Sequence, residues 1–286
     1  MSTKPSMKMT MTQEKHEPER IGFIPARAGS KRLPNKNRKL LTDVSTLVQW
    51  TVLQAIWSGR FDRLVVSTDS DQIWGDVWHA VTVLLQTRTQ DLDPTVKFLP
   101  NRSHNRSLML EYQTPHVRTT YLQIEWHKRE PHLATDEATT LSVIHDYIDQ
   151  HGPELPAKLV LLQPTSPFRF LPTLDKVFEL MKAPGDHVFT AKTLAGVCHI
   201  PPGHTFECHP TTGRGQYVVP NGNLYGYFIR DEATSELAMA PSEVLVLTTH
   251  NPAENVDIDT GADLATARYY VQEYPAELFL IDPNLT

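Results

Sequence analysis

Two stretches of the sequence carry side chains that could do chemistry together. The first is Arg27-Ala-Gly-Ser-Lys-Arg-Leu-Pro-Asn-Lys-Asn37, continued by Arg38 and Lys39. It is too polar and turn-rich for a strand or helix, and it follows the apolar run Ile21-Gly-Phe-Ile-Pro-Ala. Such a loop offers backbone N–H groups near Gly29 and Ser30 to phosphate oxygens, with Arg27, Lys31 and Lys36 neutralising charge. A solvated basic turn fits the same cluster, and a nucleic-acid patch fits it less well. It is not a Walker loop, because the terminal Gly-Lys-Ser/Thr is absent. The second stretch is Glu254-Asn-Val-Asp257-Ile-Asp259-Thr-Gly261. Side chains two apart in extended chain point the same way, so Asp257 and Asp259 converge. Two carboxylates with phosphate oxygens and water are a usual Mg²⁺ site. Capping of the helix that follows is the competing reading.

The elements that must position these residues alternate. Buried strands are expected at Ile21–Ala26, Arg63–Asp69, Lys158–Gln163 and Asp186–Ala191, then at Leu224–Ile229 and Val244–Thr248. Helices are expected over 46–57, 71–85, 136–150, 173–181 and 261–274. In the first, Leu47, Trp50, Leu53 and Trp57 share a face; in the third, Leu141, Ile144 and Ile148 do. Strand–helix–strand alternation implies a parallel sheet covered by helices. In open α/β sheets ligands bind beyond the carboxyl ends of strands, where the loop after the first strand lies. Residues 1–20 read as a flexible tail. Residues 87–127, with Pro94, Pro100 and Pro115, break the rhythm and read as an inserted subdomain or mobile excursion.

The chain has 286 residues, and 27 Lys and Arg against 33 Asp and Glu leave a net charge of −6. A mildly acidic chain argues against duplex DNA as the main partner. No apolar run reaches the roughly 18 residues of a bilayer span. No secretory leader is evident, and two cysteines, Cys198 and Cys208, make no disulfide scaffold, so a cytoplasmic setting is expected. Cys198-His199, His204 and Cys208-His209 suggest zinc, but adjacent Cys-His pairs do not easily reach one ion.

Five motifs occur in one order: Arg27-x-x-Ser30-Lys31 with Lys36-Asn37, Val65-Val-Ser-Thr-Asp69, Gln163-Pro-Thr-Ser-Pro-Phe-Arg169, Pro220-Asn-Gly and Asp257-Ile-Asp259-Thr260. Together they resemble the acylneuraminate cytidylyltransferases, the CMP-sialic acid synthetases, with their relatives acting on pseudaminic, legionaminic and 3-deoxy-octulosonic acids. The resemblance implies a single Rossmann-like α/β domain with a mostly parallel sheet and a protruding arm at about 194–217 that pairs a homodimer. It implies CMP transfer from CTP to the anomeric hydroxyl of a nonulosonic acid, with pyrophosphate released. Arg27, Ser30, Lys31, Lys36, Asn37 and Arg129 would hold the nucleotide; Gln163, Arg169, Asn221 and Gly222 the sugar, with Thr165 and Ser166 adjacent. Asp257 and Asp259 would bind Mg²⁺ and, with Arg27 and Lys36, form the catalytic set.

Three departures stand out. Ala28 replaces the family's usual glycine before Gly29. Glu130 stands where the family's cytidine-contacting Arg directly precedes Pro, so either Arg129 compensates or base recognition is altered. The 87–127 segment replaces a short link. Lys31-Arg32-Leu33-Pro34 leans towards the pseudaminate branch. The alternatives are a same-fold nucleotidylyltransferase with another acceptor or NTP, and a non-catalytic binding member, against which the retained phosphate loop and carboxylate pair argue.

Overall fold

The computed structural model describes residues 17–84, 107–114, 117–195, 209–211, 216–230 and 241–273. Nine strands form one sheet: β1 Glu19–Pro25, β2 Arg63–Thr68, β3 Ser107–Thr114, β4 Val117–Lys128, β5 Ala157–Leu161, β6 Asp186–Ala195, β7 His209–Thr211, β8 Gln216–Ile229 and β9 Glu243–Thr248. Their order is β3-β4-β2-β1-β5-β8-β6-β9, with β7 paired to β8. The run β4-β2-β1-β5 is parallel, as is β6-β9, whereas β3 and β8 run against their neighbours. β1 is central, with β2 and β5 on either side, so the chain diverges at its carboxyl end. That is where a Rossmann-like sheet opens its ligand crevice.

Five helices follow: α1 Leu47–Ser58, α2 Asp71–His79, α3 Thr140–His151, α4 Leu171–Leu180 and α5 Gly261–Glu273. The pleat of β1 explains the layers. Ile24 packs with α1, α2 and α4, while Ile21 and Phe23 pack with Val143, Ile144 and Tyr147 of α3. Both faces are covered, which is why β1 reads as a continuous apolar run rather than an alternating one. A third cluster joins Leu47 and Trp50 of α1 to Phe168, Ile258 and Leu264, fixing α5 against the turn after β5.

Several boundaries differ from expectation. α1 is buried nearly all round, because it lies between two clusters and the four-residue stripe marks only part of its buried surface. α3 starts at Thr140, not 136, because the Thr139 side chain accepts the Ser142 N–H at 3.0 Å and starts the helix there. Leu141 is exposed, and Val143 and Tyr147 take the inward positions. Within the 87–127 segment, β3 and β4 form an antiparallel pair that extends the main sheet, β4 lying parallel to β2 with Val65 opposite Glu125. The alternation of Leu122, Ile124 and Trp126 was the period-two signal for this strand, obscured by the surrounding prolines. β6 and β8 run beyond the expected strands, and residues 192–195 pair with 216–219 as a ribbon. Cys198, His199, His204 and Cys208 lie outside the described residues. Among the described residues no three His, Cys, Asp or Glu side chains are grouped to hold a metal, and no helix is long and apolar enough to cross a membrane.

Candidate active site

A cleft of about 500 Å³ opens at the carboxyl ends of β1, β4 and β5. Its lining includes Arg27, Gly29, Ser30, Lys31, Lys36, Asn37, Arg129 and Gln163, the larger part of the residues singled out from sequence. The loop after β1 is held open by the backbone and by short polar contacts. Asp69 at the end of β2 accepts the Ala28 N–H at 2.8 Å, and the Asn37 side-chain amide donates to the Arg27 carbonyl at 2.9 Å. Asn35 adopts a left-handed conformation that turns the chain into the short helix Lys36–Arg38. Arg38 then pairs with Asp76 of α2 at 2.7 Å and points away from the cleft.

Four other cations of the loop meet carboxylates from distant parts of the chain. Arg27 and Lys31 converge on Asp136, the latter at 2.6 Å, while Arg32 and Lys36 converge on Asp259 at 2.6 and 2.9 Å. The contact with Arg27 and Lys31 holds the Asp136 carboxyl below its ordinary range and raises Lys31. The part of Asp136 as the partner of two loop cations was not legible in the sequence, because it depends on residues 109 positions apart meeting. Triphosphate oxygens would replace these carboxylates as partners, an exchange of like for like.

The alternatives for the acidic segment are separated by its hydrogen bonds. Thr260 and Asp263 cap α5 reciprocally: Asp263 accepts the Thr260 N–H at 2.7 Å, and the Thr260 hydroxyl accepts the Asp263 N–H at 3.3 Å. Asp257 and Asp259 are therefore not needed as caps. Crowding by protein pushes the Asp257 carboxyl above its usual range; the Thr165 hydroxyl opposes this and the nearby Asp259 charge adds to it. Two carboxylates close enough to repel, beside a cationic loop, are a donor set that fits a divalent cation.

The opposite wall is built differently. Gln163 and Thr165 line the cleft, but Arg169 turns inward and is 3% exposed. It donates to the Gln163 carbonyl and, at 3.2 Å, to Gln54, and burial lowers it to about 9. Arg169 thus holds the turn that carries Gln163 and does not face a ligand. Asn221 is also internal: it accepts from the Thr190 hydroxyl at 2.7 Å and donates to Thr249 and Asn255 at 2.9 and 3.1 Å. These bonds hold Gly222, whose φ of +79° favours glycine. A Cβ there would sit 3.1 Å from the Ser166 Oγ and 3.8 Å from the Asp257 carboxyl. Gly222 lets the β8 backbone approach the carboxylate closely.

Arg129 and Glu130 sit differently. It lies in the cleft wall, 7% exposed, whereas Glu130 is exposed and outside the lining.

Fold and cleft together define a Rossmann-like α/β protein with a cationic cleft at the carboxyl ends of its parallel strands. Residues 21–95 match the family described as Cytidylyltransferase. It is 28% identical over 269 residues to the CMP-N,N'-diacetyllegionaminic acid synthase of Legionella pneumophila, covering 86% of this chain and 93% of that protein. It is 30% identical over 151 residues to an N-acylneuraminate cytidylyltransferase of Streptococcus agalactiae, covering 52% of this chain and 26% of that longer protein. Two solved structures share the fold at a TM-score of 0.51. One is a CMP:2-keto-3-deoxy-manno-octonic acid synthetase complexed with CTP, 14% identical, with 89% of this chain and 99% of that one covered. The other is the 4-diphosphocytidyl-2C-methyl-D-erythritol synthase of Anaerococcus prevotii, 11% identical, with 89% and 96% covered.

Proposed function

We propose that this enzyme transfers CMP from CTP to the anomeric hydroxyl of a nonulosonic acid and releases pyrophosphate. The observation that carries the reading is the pairing of the loop cations Arg27, Lys31, Arg32 and Lys36 with carboxylates across the cleft, beside Asp257. The full-length similarity to a legionaminic acid synthase points to the acceptor class.

Arg27, Lys31 and Lys36 exchange their carboxylate partners for the β- and γ-phosphates and neutralise the leaving pyrophosphate. Gly29 and Ser30 offer backbone N–H groups to the same oxygens. Gln163 and the backbone at Gly222 hold the acceptor so that its anomeric oxygen lies in line with the α-phosphorus. The Pα–O bond to pyrophosphate breaks as the new P–O bond forms, and the hydroxyl proton is released. Positioning and charge neutralisation supply most of the rate in such a transfer. Asp257 and Asp259 would hold Mg²⁺, which when bound polarises the phosphate oxygens. Asp259, freed from Lys36 and Arg32 once these turn to phosphate, becomes available for that role. The β6–β8 ribbon is the arm that would pair a homodimer, and a mass of two chains in solution is the expected finding.

The test is pyrophosphate release with Mg²⁺, each of CTP, ATP, GTP and UTP, and a panel of legionaminic, pseudaminic, sialic and octulosonic acids. Release with CTP and one nonulosonic acid is expected. Equal silence of wild type and Lys36→Ala in every pairing would sink the reading.

A further inference from the structure

Behind the cleft wall a chain of hydrogen bonds runs from helix α3 to Arg129. The Arg129 Nε–H donates to the Ser67 Oγ at 3.2 Å, and its Nη2 donates to the Ser67 carbonyl at 3.1 Å. Ser67 Oγ lies 3.0 Å from the His127 Nδ1, and the His127 Nε2 lies 2.9 Å from the Asp146 Oδ2.

The donor inventory orients the whole chain. A guanidinium only donates, so Ser67 Oγ accepts from Arg129. Asp146 is an acceptor, so the proton of a neutral His127 resides on Nε2. Nδ1 is then a lone pair, and the Ser67 hydroxyl proton points to it. Each donor has one acceptor, from Arg129 through Ser67 and His127 to Asp146. Burial pushes His127 down to about 4 in spite of Asp146, which keeps this neutral tautomer at physiological pH. A second ring proton would aim at Ser67 Oγ and leave the hydroxyl hydrogen buried without an acceptor.

Serine, histidine and aspartate in this order suggest a nucleophile, but Ser67 and His127 are both fully buried. No substrate reaches the oxygen, which is already committed to Arg129. The chain ends at the cleft instead. Arg129 makes no hydrogen bond through Nη1 among the described residues, and it lines the cavity with no carboxylate bonded to it. Burial lowers it to about 10, still cationic at neutral pH, with Asp69 supporting the charge.

We propose that Ser67, His127 and Asp146 are positioning residues that set the Arg129 guanidinium towards the bound nucleotide. The relay stands in for the arginine that Glu130 displaces. It rests on the cytidylyl-transfer reading.

The test titrates CTP and UTP with Mg²⁺ onto the full chain by calorimetry and measures pyrophosphate release, in wild type, Ser67→Ala, His127→Leu and His127→Asn. The Asn side-chain oxygen takes the place of Nδ1 and accepts from Ser67, whereas Leu fills the same space without an acceptor. Ser67→Ala and His127→Leu are expected to raise Kd and KM for CTP about tenfold, the size expected for losing the orientation of one charged hydrogen bond. In both, kcat stays within about twofold and the CTP-to-UTP preference narrows. His127→Asn is expected to keep CTP affinity near wild type. Unchanged CTP affinity in Ser67→Ala, or Leu serving as well as Asn, overturns the relay while wild-type activity leaves the enzyme reading standing. A wild type that binds neither nucleotide overturns both.

Discussion

The two walls of the cleft solve the same problem with opposite materials. The wall proposed for the nucleotide is charged and, at Lys31 and Arg32, exposed: the Lys31 side chain is 83% exposed, and Lys31, Arg32 and Lys36 are satisfied by carboxylates. The acceptor wall is buried and mostly uncharged: Asn221, Asn223 and Thr190 are 4% exposed or less and bond to one another. Its one carboxyl, Glu254, is pushed up to about 7 by burial and bonds to Asn223 at 3.5 Å. A charged wall can trade partners when a phosphate arrives, because exposed pairs contribute little stability. A buried network cannot trade cheaply, because each unpaired polar group costs about 1–3 kcal/mol. The first wall is built for exchange and the second for shape.

That contrast can be broken by mutation. The largest effect belongs to Lys36→Ala, which removes the least exposed of the loop cations. Pyrophosphate release should fall about 10²–10³-fold, the cost of deleting a charge-stabilising donor, with a melting temperature close to wild type. A large drop in melting temperature would show the nucleotide wall to be structural after all.

Asn221→Ala tests the opposite wall. It removes the acceptor of the Thr190 hydroxyl and of the Asn223 N–H and the donor to Thr249 and Asn255, and should cost about 2–4 kcal/mol in chemical denaturation. A loss of activity with unchanged stability would place Asn221 at the ligand.

The pH dependence sharpens the comparison further. His127 is lowered to about 4, so between there and its unfolded value the unfolded chain binds more protons, and stability falls as pH drops. Glu254 is raised to about 7, so between its unfolded value and 7 the folded chain binds more, and stability falls as pH rises. The slopes oppose each other, each worth roughly 2–3 kcal/mol across its window. Glu254→Gln should therefore unmask a steeper acid loss, and His127→Asn should unmask the reverse slope; denaturation curves from pH 4 to 8 read both.

Gly222→Ala is expected to act on one substrate only. A strained φ and the 3.1 Å contact with Ser166 should raise the acceptor KM about tenfold, on the order of 1–2 kcal/mol, leaving the KM for CTP in place. Equal effects on both KM values would mean that the walls move as one. The smallest change is expected of Lys31→Ala, with a melting temperature close to wild type because its pair with Asp136 is exposed. CTP affinity should nonetheless fall and become less sensitive to salt.

Much of this was legible before any coordinates. The loop after β1 and the Asp257–Asp259 pair stand out because charged residues beside a buried strand have no structural need to cluster there. The central strands read correctly because both faces of the sheet are covered. What escaped was whatever depended on contacts across long intervals. β4 was hidden among prolines, yet it pairs with β2 in full register. Arg169 and Asn221 carried the right residue types for a sugar site, but their side chains point into the protein, since residue type does not encode orientation.

By itself the sequence determined the order of the elements, the chemistry of the phosphate loop and the presence of an acidic pair, because these rest on local patterning and composition. The tertiary structure alone decided that Asp136 and Asp259 hold the loop cations, that Thr260 and Asp263 cap α5 in place of Asp257 and Asp259, and that Arg129 rather than Glu130 lines the cleft. Hydrogen bonds and ion pairs act over about 3 Å in space, and folding, not sequence distance, sets which groups come that close.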